Sequence, residues 1–316
     1  MGWELDHEVA QALAPIAAAM AEQAPPAVGD VATRRVAVEG LLGAFFSALP
    51  ASDDVKVAEY QVAAQDGHPI PLRLYTKAGA EPGPLAVYLH GGGMILGSVA
   101  LYDPLVRYLT SSSGVAILAP DYRLAPEHPH PAPVEDCYAA LTWAAEHAAE
   151  LGCDPNRIGV AGDSAGGGLA AGVALLARDR GGPALARQIL VYPMLDDRNT
   201  TPPAEVPGVL LWSYDDNITG WGALLGEAAG GDDVSPYAAP ARVADVAGLP
   251  PAYVIVGDMD IFRDEDIAYV ARMTAAGVPV EFHLVPGAPH AFDFAAPQSE
   301  IGRRAYADEI RALRRL

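Results

Sequence analysis

Short apolar runs alternate with amphipathic stretches through most of the chain. The apolar runs fall at Leu85–His90, Val115–Ala119, Ile158–Ala161, Gln188–Tyr192, Ala252–Gly257 and Val280–Val285. Runs of that length, with no polar alternation, predict strands buried on both faces. Between them, helical spacing occurs at Tyr102–Ser112, Ala132–Leu151, Leu169–Ala177 and Asp264–Ala276. Ahead of them, Val55–Val62 and Ile70–Tyr75 flank Gln65-Asp-Gly-His68, which predicts a hairpin with an Asp-Gly turn. The pattern predicts an α/β fold: a mostly parallel central sheet with helices on both faces and the hairpin at one edge.

Two regions stand outside the alternation. Residues 4–22 read as an amphipathic helix broken by Pro25-Pro26, and Val31–Leu49 as a second helix ending at Pro50. Both precede any strand and are expected to cover something built later. Residues 196–232 carry Pro202-Pro203, Pro207, Trp212, Tyr214, Trp221 and Gly230-Gly231, and read as an insertion with some helix. Insertions at the carboxyl end of a sheet often form lids.

Composition narrows the classes. Hydrophobic residues make up 51% of the 316-residue chain and charged residues 19%, which fits a folded protein with ample core. The formal net charge of −20 disfavours nucleic acid and anionic membrane surfaces as partners. Two cysteines, Cys137 and Cys153, make neither a disulfide framework nor a zinc site, and are expected to be reduced and partly buried. The first residues carry Glu4, Asp6 and Glu8 without Lys or Arg, unlike a signal peptide, and Val9–Ala21 is too short and interrupted to span a bilayer. The expectation is a cytoplasmic protein without membrane insertion.

The candidate chemistry centres on Gly162-Asp-Ser-Ala-Gly166, between the strand at Ile158–Ala161 and the following helix. A Gly-x-Ser-x-Gly turn there holds Ser164 strained and exposed, with glycines where a Cβ would collide. The helix also aims its amide donors and positive dipole end at the serine. His90-Gly-Gly-Gly93 follows an earlier strand, and successive glycines let backbone amides approach a developing oxyanion closely. Gly92, Gly93 and Ala165 are the expected donors, with Gly91 as a third loop candidate, and His90 is expected to hold the loop. Of eight histidines, His290 alone lies in the loop after the last strand, level with Ser164, and is the expected general base. His7, His68, His128, His130, His147 and His283 are not assigned to the site. The orienting acid is sought in Gly257–Glu265, where Asp258 reads as a turn residue and Asp264, Glu265 and Asp266 as first-turn helix acids. Asp260 is the choice, in a Ser-Asp-His chain order.

Taken together, these motifs resemble the bacterial hormone-sensitive-lipase-like (family IV) esterases of the α/β-hydrolase superfamily. Asp121-Tyr-Arg-Leu-Ala-Pro-Glu127 with His128-Pro129, and Val234-Ser-Pro-Tyr237, add to the likeness, which covers about residues 55–295. Two motifs depart from the family's usual form. Asp260-Ile-Phe-Arg-Asp-Glu265 lacks the usual proline, and His290-Ala-Phe292 replaces His-Gly-Phe, which is expected to narrow the pocket slightly. The resemblance implies an α/β-hydrolase fold with a helical cap at residues 1–52, to which 196–232 adds, on a catalytic domain at 53–316. It also implies that Asp121–Asp136 is structural support, that Trp212, Tyr214 and Trp221 line the substrate pocket, and that a homodimer forms through the last strand.

The implied activity is hydrolysis of small-molecule esters of short to medium acyl chain, with no metal or organic cofactor. Because His290 must be neutral to act, activity is expected to fall as pH drops through about 6 to 7. An amide hydrolase on the same triad is the alternative. A non-catalytic ligand-binding protein is disfavoured because His290 and Asp260 are retained, and an interfacial lipase because no long hydrophobic lid segment is evident.

Overall fold

A computed structural model describes residues 4–22, 24–201 and 211–316. The chain opens with α1 (His7–Ala21) and α2 (Val31–Ser47), then enters the sheet through β1 (Val55–Ala63) and β2 (Pro69–Lys77). There follow β3 (Gly83–Leu89), α3 (Val99–Ser113), β4 (Ala116–Pro120), α4 (Ala132–His147), β5 (Cys153–Asp163), α5 (Ala165–Arg180) and β6 (Arg187–Val191). After α6 (Tyr214–Leu225) come β7 (Ala252–Gly257), α7 (Arg263–Ala275), β8 (Val280–Val285), α8 (Phe292–Ala295) and α9 (Glu300–Arg314). Of the expected insertion at 196–232, Pro202, Pro203 and Pro207 lie outside the described residues.

Among the described residues the strands form one eight-stranded sheet in the order β1-β2-β4-β3-β5-β6-β7-β8. β1 with β2 and β2 with β4 are antiparallel, and every other pairing is parallel. The apolar runs explain this. Leu85–Leu89 and Ala252–Gly257 are buried along their whole length, as strands covered on both faces must be. The sheet is mostly parallel with the hairpin at one edge, as the pattern predicted, and the fold is that of an α/β-hydrolase, as the resemblance implied. α5 packs on α4 and on β3, β5 and β6, and α3 packs against α2 and α9.

Register decides where the chemistry can sit. β3 and β5 run in parallel up to Leu89↔Gly162, so the residues that follow, His90 and Asp163, come side by side at the sheet's carboxyl edge. Asp163↔Val191, Val191↔Ile255 and Gly257↔Val285 then bring the turns after β5, β6, β7 and β8 to the same carboxyl edge.

Some elements differ from expectation. β5 begins at Cys153, and α4 stops at His147 because Cys153 N–H turns back to Ala148 O (2.7 Å). The apolar-run reading stops at Val285 and misses α9. That helix is rich in charge, yet Ala305, Tyr306, Glu309, Ala312 and Leu313 form a buried stripe at helical spacing. Leu316 beyond it fills the space beside Gly159, where a Cβ would lie 2.2 Å from its Cδ2. Cys137 and Cys153 are free and buried, Cys137 completely and Cys153 with a little of its surface left exposed. Among the described residues no helix is long and apolar enough to cross a membrane.

Two sets of contacts tie remote segments to the sheet edge. Asp6 caps α1 by accepting from Glu8 and Val9 N–H, while its own N–H donates to Gly287 O (2.9 Å). On α2, Arg35 donates to Ile95 O (2.6 Å) and Ala125 O (3.0 Å), and Glu39 accepts from Gly97 N–H (3.1 Å). The stretch Asp121–Asp136 also acts as a brace. Arg123 grips the buried Asp136 of α4 through Nε (2.8 Å) and Nη2 (2.6 Å), and Nη1 reaches Asp66 (2.6 Å). Removing the guanidinium leaves a buried carboxylate without its countercharge, so Arg123→Ala should lose about 3–5 kcal/mol of stability, read from urea unfolding midpoints.

Candidate active site

The turn after β5 is built by close backbone approach. A Cβ on Gly162 would lie 2.4 Å from Gly166 O, and one on Gly166 would lie 2.0 Å from Leu89 O. Only glycine fits at either place. Between them Ser164 takes φ +55°, ψ −121°, a strained conformation for a residue with a side chain. Three hydrogen bonds hold it there. Its N–H donates to Val191 O (2.8 Å), and its carbonyl accepts from Gly168 N–H (3.0 Å) and Met194 N–H (2.9 Å).

His290, in the loop after β8, places Nε2 3.0 Å from Ser164 Oγ and Nδ1 2.8 Å from Asp260 Oδ2. With the proton on Nδ1 and donated to Asp260, Nε2 faces the hydroxyl as an acceptor. Asp260 Oδ1 accepts from Phe262 N–H (2.9 Å), which fixes the carboxylate in turn. Tyr192 and Phe262 meet the imidazole edge-on, at 4.7 and 5.0 Å between ring centres. All three polar side chains are buried. The neighbouring acids go elsewhere. Asp258 accepts from Gly287 N–H (2.7 Å), and Asp264 is exposed beside Arg263. Glu265 is more than a helix-dipole acid: it is buried and accepts from Leu195 N–H (2.6 Å), Asp196 N–H (3.1 Å) and Asn199 Nδ2 (2.8 Å), fastening the segment after β6.

In the loop after β3, His90 donates from Nδ1 to Gly91 O (2.8 Å) and stacks on Tyr122 at 4.3 Å. Tyr122 Oη donates to His90 O (2.7 Å), and burial pushes the His90 pKa below its ordinary value. His90 thus holds the loop, and the Asp121–Asp136 stretch supports it. Gly91 N–H is already engaged, donating to Tyr102 Oη (3.1 Å). The amides of Gly92, Gly93 and Ala165 meet no acceptor among the described residues. Gly93 sits at φ +59° with no room to spare, since a Cβ there would come within 2.3 Å of the Trp212 ring.

Beside Ser164 lies a mostly apolar pocket, walled on one side by Val38, Leu41, Leu42 and Phe45 of α2 and on another by Trp212 and Phe294. Of the three aromatic residues expected there, only Trp212 lines it. Tyr214 starts α6, half-buried, and Trp221 is turned wholly into the core. Ala291 keeps a left-handed conformation (φ +55°) and adds its methyl to the lining. None of the α2 residues was singled out from the sequence, although their spacing over one helix face carries the signal.

Behind the pocket, acids are buried among tyrosines. Asp163 accepts from Tyr88 Oη (2.9 Å) and Tyr102 Oη (3.0 Å), and burial pushes its pKa up to about 6. Asp293 of α8 accepts from Tyr192 Oη (2.9 Å); burial, with repulsion from Asp163 added, pushes it up to about 7.

A strained serine on a strand-to-helix turn, hydrogen-bonded to a histidine that is in turn hydrogen-bonded to an aspartate, thus lies at the carboxyl edge of an α/β-hydrolase sheet. The family model with the alpha/beta hydrolase fold matches residues 86–294. The chain belongs to that family, among its hormone-sensitive-lipase-like carboxylic ester hydrolases. It is 39% identical over 244 residues to "Carboxylesterase NlhH" of Mycobacterium tuberculosis, covering 76% of each chain. It is 32% identical over 248 residues to "Ethyl acetate hydrolase" of Pseudomonas putida, covering 75% of each. Among solved structures, "Bacterial Heroin Esterase" superposes with a TM-score of 0.88 at 38% identity, covering 98% of this chain and 97% of that one.

The raised pKa of Asp293 has a stability consequence. Between the ordinary carboxyl value and about 7, the folded protein holds a proton there that the unfolded chain has lost, so stability falls as pH rises through that window. Asp293→Asn removes the titration while keeping an acceptor for Tyr192. Its urea midpoint should therefore gain on wild type as pH goes from 5 to 8; a difference that stays constant with pH would refute this.

Proposed function

We propose that the protein is a serine carboxylesterase acting on short- to medium-chain acyl esters, with Ser164 as nucleophile, His290 as general base and Asp260 as orienting acid. The observation that carries the reading is the continuous chain Ser164 Oγ–His290 Nε2 (3.0 Å) and His290 Nδ1–Asp260 Oδ2 (2.8 Å) in one buried site. Ser164 attacks the ester carbonyl as His290 takes its proton. The oxyanion is met by the amides of Gly92, Gly93 and Ala165, and Gly91 is left out because its N–H is engaged with Tyr102. His290 then protonates the departing alcohol, and water, deprotonated by the same imidazole, hydrolyses the acyl-enzyme.

The wall formed by α2 supports reading residues 1–52 as a cap over a catalytic domain at 53–316, with Trp212 extending that cap from 196–232. Bulky side chains around the pocket, Phe45, Trp212 and Phe294 among them, favour short acyl groups. Among the described residues β8 stands at the sheet edge with one side unpaired, which favours homodimer pairing through that strand. The free cysteines fit a reducing, cytoplasmic setting.

The test is hydrolysis of a p-nitrophenyl ester series from acetyl to long-chain acyl by wild type and Ser164→Ala. Wild type should turn over, fastest with the shorter chains, and Ser164→Ala should lose a factor on the order of 10⁴ or more in kcat. Wild type inert on every ester, or a variant as active as wild type, would sink the proposal. Gly93→Ala, which drives a methyl into Trp212 and strains the loop, should lower kcat by about 10²-fold in the same assay.

A further inference from the structure

The oxyanion hole of the proposed mechanism is assembled from two separate pieces of chain. Gly92 and Gly93 follow β3, whereas Ala165 opens α5. The ladder joining β3 to β5 ends at Leu89↔Gly162, before either piece begins. Three amides can focus on one oxygen only if the pieces keep their spacing to a fraction of an ångström.

Beyond the ladder, one side chain joins them. Tyr102 Oη accepts from Gly91 N–H (3.1 Å) and donates to Asp163 Oδ2 (3.0 Å), so a single hydroxyl spans from the loop to the residue before the nucleophile. Its polarity is fixed. An amide can only donate and a hydroxyl has one hydrogen, which must therefore go to the carboxylate. The other oxygen, Asp163 Oδ1, is held by Tyr88 Oη (2.9 Å) from β3. Loop and carboxylate also touch directly, since a Cβ on Gly91 would lie 2.3 Å from Asp163 Oδ2 and no water fits between them. Tyr102 has anchors beyond the loop, although the loop runs on into its helix and its ring also lies 5.4 Å from that of His90. It lies in α3, whose first turn is tied by Ser98 to Leu101 N–H (3.1 Å) and by Asp121 to Val99 N–H (2.9 Å), and its ring meets Phe46 edge-on at 4.8 Å.

We propose that Tyr102 is a positioning residue for acyl transfer: through Gly91 and Asp163 it holds the two halves of the oxyanion hole in register. Tyr88 holds the other oxygen of the same carboxylate and makes no hydrogen bond to the loop among the described residues. The inference rests on the reading of Ser164 as nucleophile and of Gly92, Gly93 and Ala165 as oxyanion donors.

The experiment compares wild type, Tyr102→Phe, Tyr88→Phe, Asp163→Ala and Ser164→Ala on p-nitrophenyl acetate. It also measures inhibition by a short-chain trifluoromethyl ketone, whose serine adduct carries the tetrahedral oxyanion. Tyr102→Phe should lower kcat by roughly 10- to 100-fold with KM within about threefold, and weaken the ketone by the same factor as kcat/KM. Tyr88→Phe, which also strips a buried hydrogen bond from Asp163, should keep kcat within about threefold. Wild-type kcat in Tyr102→Phe, or an equal loss in both tyrosine variants, overturns the inference. If Tyr102→Phe does not fold, Asp163→Ala carries the test: kcat and ketone affinity should fall together, and wild-type values for both overturn the inference. A Ser164→Ala enzyme that still hydrolyses the ester refutes the nucleophile instead; with that variant dead and Tyr102→Phe unaffected, only the positioning role fails.

Discussion

The packing of β3 against the turn from β5 into α5 governs the rest of the molecule. There the backbones approach so closely that Gly166 would place a Cβ 2.0 Å from Leu89 O. This contact forces glycine on both sides of Ser164. It pushes the serine into a conformation that costs on the order of 1–3 kcal/mol, and brings the glycine-rich loop alongside it. The strain persists because three backbone hydrogen bonds from different directions over-determine the turn. The later loops then need only bring a histidine and an aspartate to a place already set by the sheet.

Electrostatically the site is unusual in how much acid it buries. Besides Asp260, the carboxyls of Asp163, Asp293, Glu265 and Glu309 lie beneath the surface around or behind it. Burial raises the pKa of each of these four. For Asp163, Asp293 and Glu265, tyrosine hydroxyls, backbone amides and the Asn199 side chain supply the compensation, whereas Glu309 Oε1 meets no partner among the described residues. Such neutral donors satisfy a carboxylate without placing a cation beside the imidazole that must accept a proton. The arrangement trades some stability at neutral and alkaline pH for a site in which Asp260 and Ser164 are the polar partners of His290.

Much of this was legible in the sequence, and for identifiable reasons. The parallel strands announced themselves because burial on both faces demands unbroken apolar runs, and the Ser164, Asp260 and His290 loops followed from the strand order. Steric arguments at Gly162 and Gly166 also carried through, since they depend on local geometry. Other features were hidden. α9 is charged on its open face, so a reading tuned to apolar runs passed over a stripe that helical spacing would have exposed. Trp221 was expected in the pocket and lies in the core, because aromatic character says nothing about which way a helix turns. The bridge from Gly91 through Tyr102 to Asp163 joins residues with no sequence relation, and only the folded sheet brings them together. Glu265 looked like any acid in a first helical turn until burial showed it fastening the segment after β6.

The hydrogen bond from Asp6 N–H to Gly287 O sets an order of events during synthesis. α1 is made well before the histidine loop, so its docking site beside that loop does not yet exist when it is synthesised. Until then the face carrying Val9 and Leu13, buried in the finished protein, has nothing native to rest against. α1 can therefore reach its native place only once the stretch that holds His290 has been made.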